Sequence, residues 1–117
     1  MPREHRLDEA EAAYARMVQI YRVAYDDRHY LIGTATSNLA NVYMERKQYP
    51  RAEALFREAV RRFTETQGPN HLNTGIARIK LGRSLLRQRR FAEGAAESLA
   101  GYEILSPQAS PSVSYLR

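Results

Sequence analysis

Two sets of four residues carry the chemistry of this chain. Thr34, Asn38, Asn41 and Glu45 stand at i, i+4, i+7 and i+11, a spacing that puts all four on one face of a helix. Ile76, Lys80, Arg83 and Arg87 repeat that spacing 42 residues later. Amide side chains both donate and accept, so Asn38 and Asn41 can satisfy the backbone of an extended peptide. Lys80, Arg83 and Arg87 can pair with carboxylates or phosphates, the guanidinium groups through a bidentate fork. This is binding chemistry. Catalysis needs a nucleophile beside a base, a pair of carboxylates or a cofactor loop. The sequence holds no such constellation, so neither an enzyme nor a cofactor is expected.

His29 and His71 invite a metal or acid–base reading. They share the 42-residue offset, and each stands just before a helical stretch, which argues for a linker role. Zinc needs three or four converging ligands, and no such cluster is visible, so no metal site is expected. Cysteine is absent, which excludes disulfides and thiolate sites. The net charge is +5, and its distribution says more than its size. Met1 to Gln48 holds seven basic and seven acidic residues, whereas Gly68 to Arg117 holds seven basic and three acidic. Local charge of this kind attracts acidic partners, whether peptide, phosphate or nucleic acid. A single exposed arginine is more often merely solvated. That is the expectation for Arg89 and Arg90, which fall in a turn.

The elements that must position these residues follow from apolar periodicity. A first helix is predicted over Leu7–Tyr25, with Ala10, Ala13, Tyr14, Met17, Val18 and Tyr21 on its inner stripe. A second is predicted over Leu31–Lys47, and a third begins near Pro50 with the cleanest stripe, Ala52, Leu55, Phe56, Ala59, Val60 and Phe63. Gln67-Gly68-Pro69-Asn70 is the strongest breaker. A fourth helix follows over Asn73–Gln88, with Asn73 or Thr74 as its expected N-cap. The fifth, Phe91–Leu105, is weakened by Gly94 and Gly101, although small residues also permit close helix approach. Ser112–Arg117 could begin a sixth. No apolar run approaches the roughly 18 residues that span a bilayer, so this chain is not expected to insert into a membrane. A cytoplasmic place is expected, with the tail of a membrane-anchored parent as the alternative.

The chain nearly repeats itself after 42 residues: His29-Tyr30 on His71-Leu72, Ala35 on Ala77, Leu39 on Leu81, Tyr49 on Phe91. Leu7 falls on Tyr49, and Gly68-Pro69 on Ser110-Pro111. A period of this size marks a stacked solenoid. Leu39-Ala40 with Tyr43, then Ala52, Phe56 and Ala59, together with the linker Gly68-Pro69-Asn70-His71, resemble tetratricopeptide repeats of the 42-residue, kinesin-light-chain-like kind. The next unit keeps Leu81-Gly82, replaces the aromatic with Leu85, and has a degraded second helix at Gly94, Ser98 and Gly101. Gly82 to Gln88, Gly101 to Leu105 and Ala109 to Val113 are similar to the repeat tails of bacterial serine/threonine protein kinases. No kinase motif stands in the chain itself.

The resemblance implies an all-α fold, a right-handed α-solenoid of antiparallel helix pairs, about five helices plus a C-terminal stub. One domain is expected over 1–117: residues 7–25 as the second helix of a partial repeat, 26–67 and 68–109 as full repeats, and 110–117 as the start of another. Those boundaries suggest a piece cut from a longer solenoid. The resemblance also places the first helix of each pair along the concave groove. Thr34, Asn38, Asn41, Glu45, Ile76, Lys80, Arg83 and Arg87 are then the predicted groove residues. They imply a non-catalytic module that binds an extended, acidic peptide or partner domain, as the docking or regulatory part of a larger protein such as a bacterial kinase. Asn41, Lys80 and Arg83 only partly match the family's carboxylate clamp, since Ser37 stands where that pattern has Lys. Two other readings compete. Tyr14, Met17 and Tyr21 at one end, with Leu99, Tyr102, Val113 and Leu116 at the other, could build a homodimer. Nucleic-acid binding by the Arg-rich helix is poorly supported, because the groove positions lack aromatics for stacking.

Overall fold

Apolar periodicity resolves into five helices: α1 (Arg3–Ala24), α2 (Tyr30–Glu45), α3 (Tyr49–Gln67), α4 (Leu72–Arg87) and α5 (Phe91–Leu105). The computed structural model describes residues 2–106. Among the described residues there is no strand. The expected stub at Ser112–Arg117 lies outside them, as do Val113 and Leu116. Short turns fold each helix back on the one before it. Packing therefore runs between sequence neighbours, α1 on α2, α2 on α3, α3 on α4 and α4 on α5. This is an all-α solenoid, in which each unit rests on its neighbours.

The core sits between units. Ala40 and Tyr43 of α2, Ala52 and Phe56 of α3, and Leu81 and Leu85 of α4 form one cluster; Ala59, Phe63 and Ala77 form a second. The stripe Ala52, Phe56, Ala59 and Phe63 follows i, i+4, i+7 and i+11, so one face of α3 meets both α2 and α4. Burying a side chain like Phe56 contributes about 1.5–3 kcal/mol. Helix α3 stops at Gly68, whose φ of 103° turns the chain while its N–H bonds the carbonyls of Phe63 and Thr64.

Asn73 and Thr74, the sequence-predicted caps of α4, lie inside that helix. The cap is His71, whose Nδ1 accepts from the Asn73 N–H at 3.0 Å. His29 does the same for α2, accepting from the Leu31 N–H at 3.2 Å. Thr74 is needed elsewhere: its buried hydroxyl donates to the Gly68 carbonyl at 2.8 Å and ties the linker to the helix. The repeated histidines are thus helix starts, each satisfying one orphan backbone donor.

Helix α1 begins a turn earlier than Leu7, because Pro2 supplies an extended start and Glu4 suits the first turn. It buries only Leu7; Tyr14, Met17, Val18 and Tyr21 are half-buried, and Ala13 is exposed. The inner stripe expected there is therefore only partly covered, since α1 packs chiefly on α2. Charge supplements the contact. Arg46 pairs with Glu4 at 3.4 Å, with Glu11 at 3.2 Å and with Asp8. The Tyr43 hydroxyl donates to Glu11, and burial, with the Glu11 charge beside it, raises the phenol's pKa.

Helix α5 buries Gly94 and Gly101 against α4. The glycines read in the sequence as weakness are the contact itself. Arg78 bridges the same two helices to Glu97 at 2.9 Å. Arg90 departs from the expectation of plain solvation: it pairs with Glu53 at 2.7 Å and with Glu93 at 2.8 Å. Burial opposes ionisation of Glu53, but hydrogen bonds from Gln88 and Arg57 and the charge of Arg90 outweigh it, so its pKa is lowered.

Candidate functional site

Helices α2 and α4 both contribute walls to three neighbouring concavities, which together are called the trough. Its first concavity, about 130 Å³, has Thr34 and Asn38 on one wall and Ile76 and Lys80 on the other, with Phe63 and Ala77 at its floor. The second, about 50 Å³, is lined by Asn41, Met44, Phe56, Lys80 and Arg83. The third and widest, about 310 Å³, takes in Met44, Glu45, Arg83 and Arg87. Neighbouring concavities share walls: Lys80 belongs to the first two, and Met44 and Arg83 to the last two. Each of the eight sequence-predicted groove residues lines at least one of these three concavities, and none of the three contains all eight.

The trough also contains residues outside the eight predicted groove positions. Phe56 and Phe63 reach its floor from α3, so the core itself forms the base. Arg3 arrives from the start of α1, and Lys47 and Tyr49 from the α2–α3 turn, all at the wide end. The sequence puts Phe56 and Phe63 on the α3 core stripe and no aromatic in the groove, so it does not foresee their place at the floor. Arg3 and Lys47 depend on how the chain returns, and no local pattern marks them.

Electrostatically the trough is uneven. Thr34, Asn38 and Asn41 give one wall neutral polarity. On the other, Lys80, Arg83 and Arg87 make no ion pair and no side-chain hydrogen bond among the described residues. Three of the four arginines of α3 differ, since Arg57, Arg61 and Arg62 all face carboxylates. Burial, followed by the charge of Arg83, lowers the pKa of Lys80. An anion placed beside Lys80 would oppose both effects and favour its charged form. Among the described residues no three His, Cys, Asp or Glu side chains converge as metal ligands. No helix there is long and apolar enough to cross a membrane.

Stacked helix pairs around a shared core, with a trough along one helix set, define a helical-repeat protein. A family model described as tetratricopeptide repeat matches residues 31–93, more than half of the chain. The chain belongs to the tetratricopeptide repeat family. Comparisons with curated proteins and with solved structures give no match. Repeats of this family generally mediate protein–protein interaction and are generally non-catalytic.

Proposed function

We propose that this domain is a docking module whose α2–α4 trough receives an extended, acidic segment of a protein partner. The observation that carries the reading is the unpaired set Lys80, Arg83 and Arg87 on the α4 side of three neighbouring concavities, with the amides Asn38 and Asn41 on the α2 side of the first two and Glu45 opposite Arg87 in the third. The amides suit a peptide backbone, and the cations suit acidic side chains. Such a module would serve a larger protein; the likeness to bacterial kinase tails supports a kinase parent, and with it a cytoplasmic place.

The test is capture of an acidic partner segment by the wild type and by K80E/R83E/R87E. Placing like charges against an acidic partner costs several kcal/mol, so affinity should fall by at least about a hundredfold. Helicity by circular dichroism should be unchanged, because Arg83 and Arg87 are exposed and Lys80 is only half-buried. Equal capture by both proteins would reject the trough as the binding face.

A second reading rests on α5. Phe91, Leu99 and Tyr102 are 63%, 61% and 61% exposed and share one helix face. Exposed apolar faces promote association, and self-assembly through this face is the alternative role. At the other end Tyr14, Met17 and Tyr21 are half-buried against α2, so α5 is the stronger candidate surface. Light scattering across a concentration series should then show a dimer that Leu99→Asp and Tyr102→Asp abolish; a monomeric mass throughout removes this reading.

A further inference from the structure

The wide end of the trough is more cationic than an acidic side chain requires. Arg3, Lys47, Arg83 and Arg87 line one cavity of about 310 Å³ there. The cavity holds one carboxylate, Glu45, which faces Arg3 at 3.7 Å. Lys47, Arg83 and Arg87 have no carboxylate partner among the described residues. One peptide carboxylate brings a single negative charge. A phosphorylated side chain brings nearly two and three strong acceptor oxygens, and guanidinium groups match phosphate through paired N–H donors.

The backbone adds an independent observation. Lys47 adopts φ 62°, the left-handed region that glycine and asparagine fill most easily. A lysine here keeps a cation at the cavity rim in a turn that would otherwise suit glycine. Arg89, 42 residues on, adopts φ 63° in the equivalent α4–α5 turn but lies outside this cavity. The two residues form a natural pair for comparison, with the same strain and charge and only one of them at the cavity.

We propose that the wide end of the trough is a receptor for a phosphoserine or phosphothreonine side chain carried by the docked partner segment. This rests on the trough being the peptide-binding face. The dianion would sit between Arg83 and Arg87 of α4 and Lys47 of the turn, with Arg3 closing the cavity from α1. No covalent step is involved.

The experiment uses three fluorescein-labelled degenerate dodecapeptide pools with a central phosphoserine, glutamate or serine. Binding to the full chain, to K47G and to R89G is read by fluorescence anisotropy, and each protein's Tm is recorded. The phosphoserine pool should bind about tenfold tighter than the glutamate pool, the equivalent of one charge-assisted hydrogen bond. K47G should lose that advantage, while R89G keeps it. Both variants should melt at or above the wild-type temperature, because glycine relieves the left-handed strain. Equal affinity for the phosphoserine and glutamate pools overturns the phosphate receptor and leaves the acidic trough standing. Equal losses in K47G and R89G overturn it too, by reducing the effect to net charge. Binding of neither acidic pool overturns the trough reading beneath it.

Discussion

Phe56→Ala lowers the free energy of unfolding by about 3–5 kcal/mol, the usual loss when a buried aromatic is cut to alanine. The ring is 1% exposed and packs in the cluster that joins Ala40 and Tyr43 of α2 to Leu81 and Leu85 of α4. It therefore stabilises the pairing of α2 with α3 and the stacking of α3 on α4 together. A domain of ordinary stability, about 5–15 kcal/mol, would lose roughly a fifth or more of its total. The surrounding side chains can close the gap only partly, because the vacated volume abuts the small trough cavity also lined by Met44 and Lys80. Urea unfolding followed by circular dichroism reads the loss directly. Phe56→Leu is the control, since a near volume-conserving swap usually costs less than about 1.5 kcal/mol. A loss below about 1 kcal/mol for Phe56→Ala would mean that the interface between units is not where the stability resides.

How much of this was legible in the sequence depends on the kind of interaction. The α3 stripe was readable because four large or small apolar residues recur at helical spacing on both sides of a two-faced contact. The trough walls were readable because a 42-residue offset preserves register, so Thr34, Asn38, Asn41 and Glu45 map onto Ile76, Lys80, Arg83 and Arg87. The histidines were placed correctly just before their helices, but the α4 cap was expected at Asn73 or Thr74, because an imidazole accepts a backbone N–H only when its tautomer and rotamer allow it, and neither is written in the residue type. Arg90 was misread for a related reason: its partner Glu53 lies 37 residues away. Inclusion of Arg3 and Lys47 in the wide cavity follows from chain return and from a left-handed turn, which no periodicity encodes. Local pattern thus reveals which face is buried, while the ion pairs and caps that arrest each helix depend on the assembled turns.

Gly82→Val is expected to release α5 from α4. A side-chain carbon at Gly82 would meet the Gly94 carbonyl oxygen at 2.8 Å and the Ser98 nitrogen at 2.9 Å, both backbone atoms that cannot rotate away. Ser98 Oγ, at 2.2 Å, would also have to move. Two effects oppose each other. Replacing glycine inside a helix with alanine favours the helix by about 1 kcal/mol. Overpacking costs about 1–3 kcal/mol and occasionally more. For Gly82→Ala the two nearly offset, and a modest net loss is expected. Valine adds two methyl groups to the same gap and regains less helix propensity, so its cost should reach about 3 kcal/mol. The loss should also be local. In a solenoid each helix rests only on its neighbours, and α5 packs chiefly against α4. Hydrogen exchange should therefore accelerate across residues 91–105 while the α2–α3 amides keep their protection. Acceleration spread evenly over α2 to α5 would show instead that the domain opens as one cooperative unit, and that the close approach at Gly82 is shared by the whole stack.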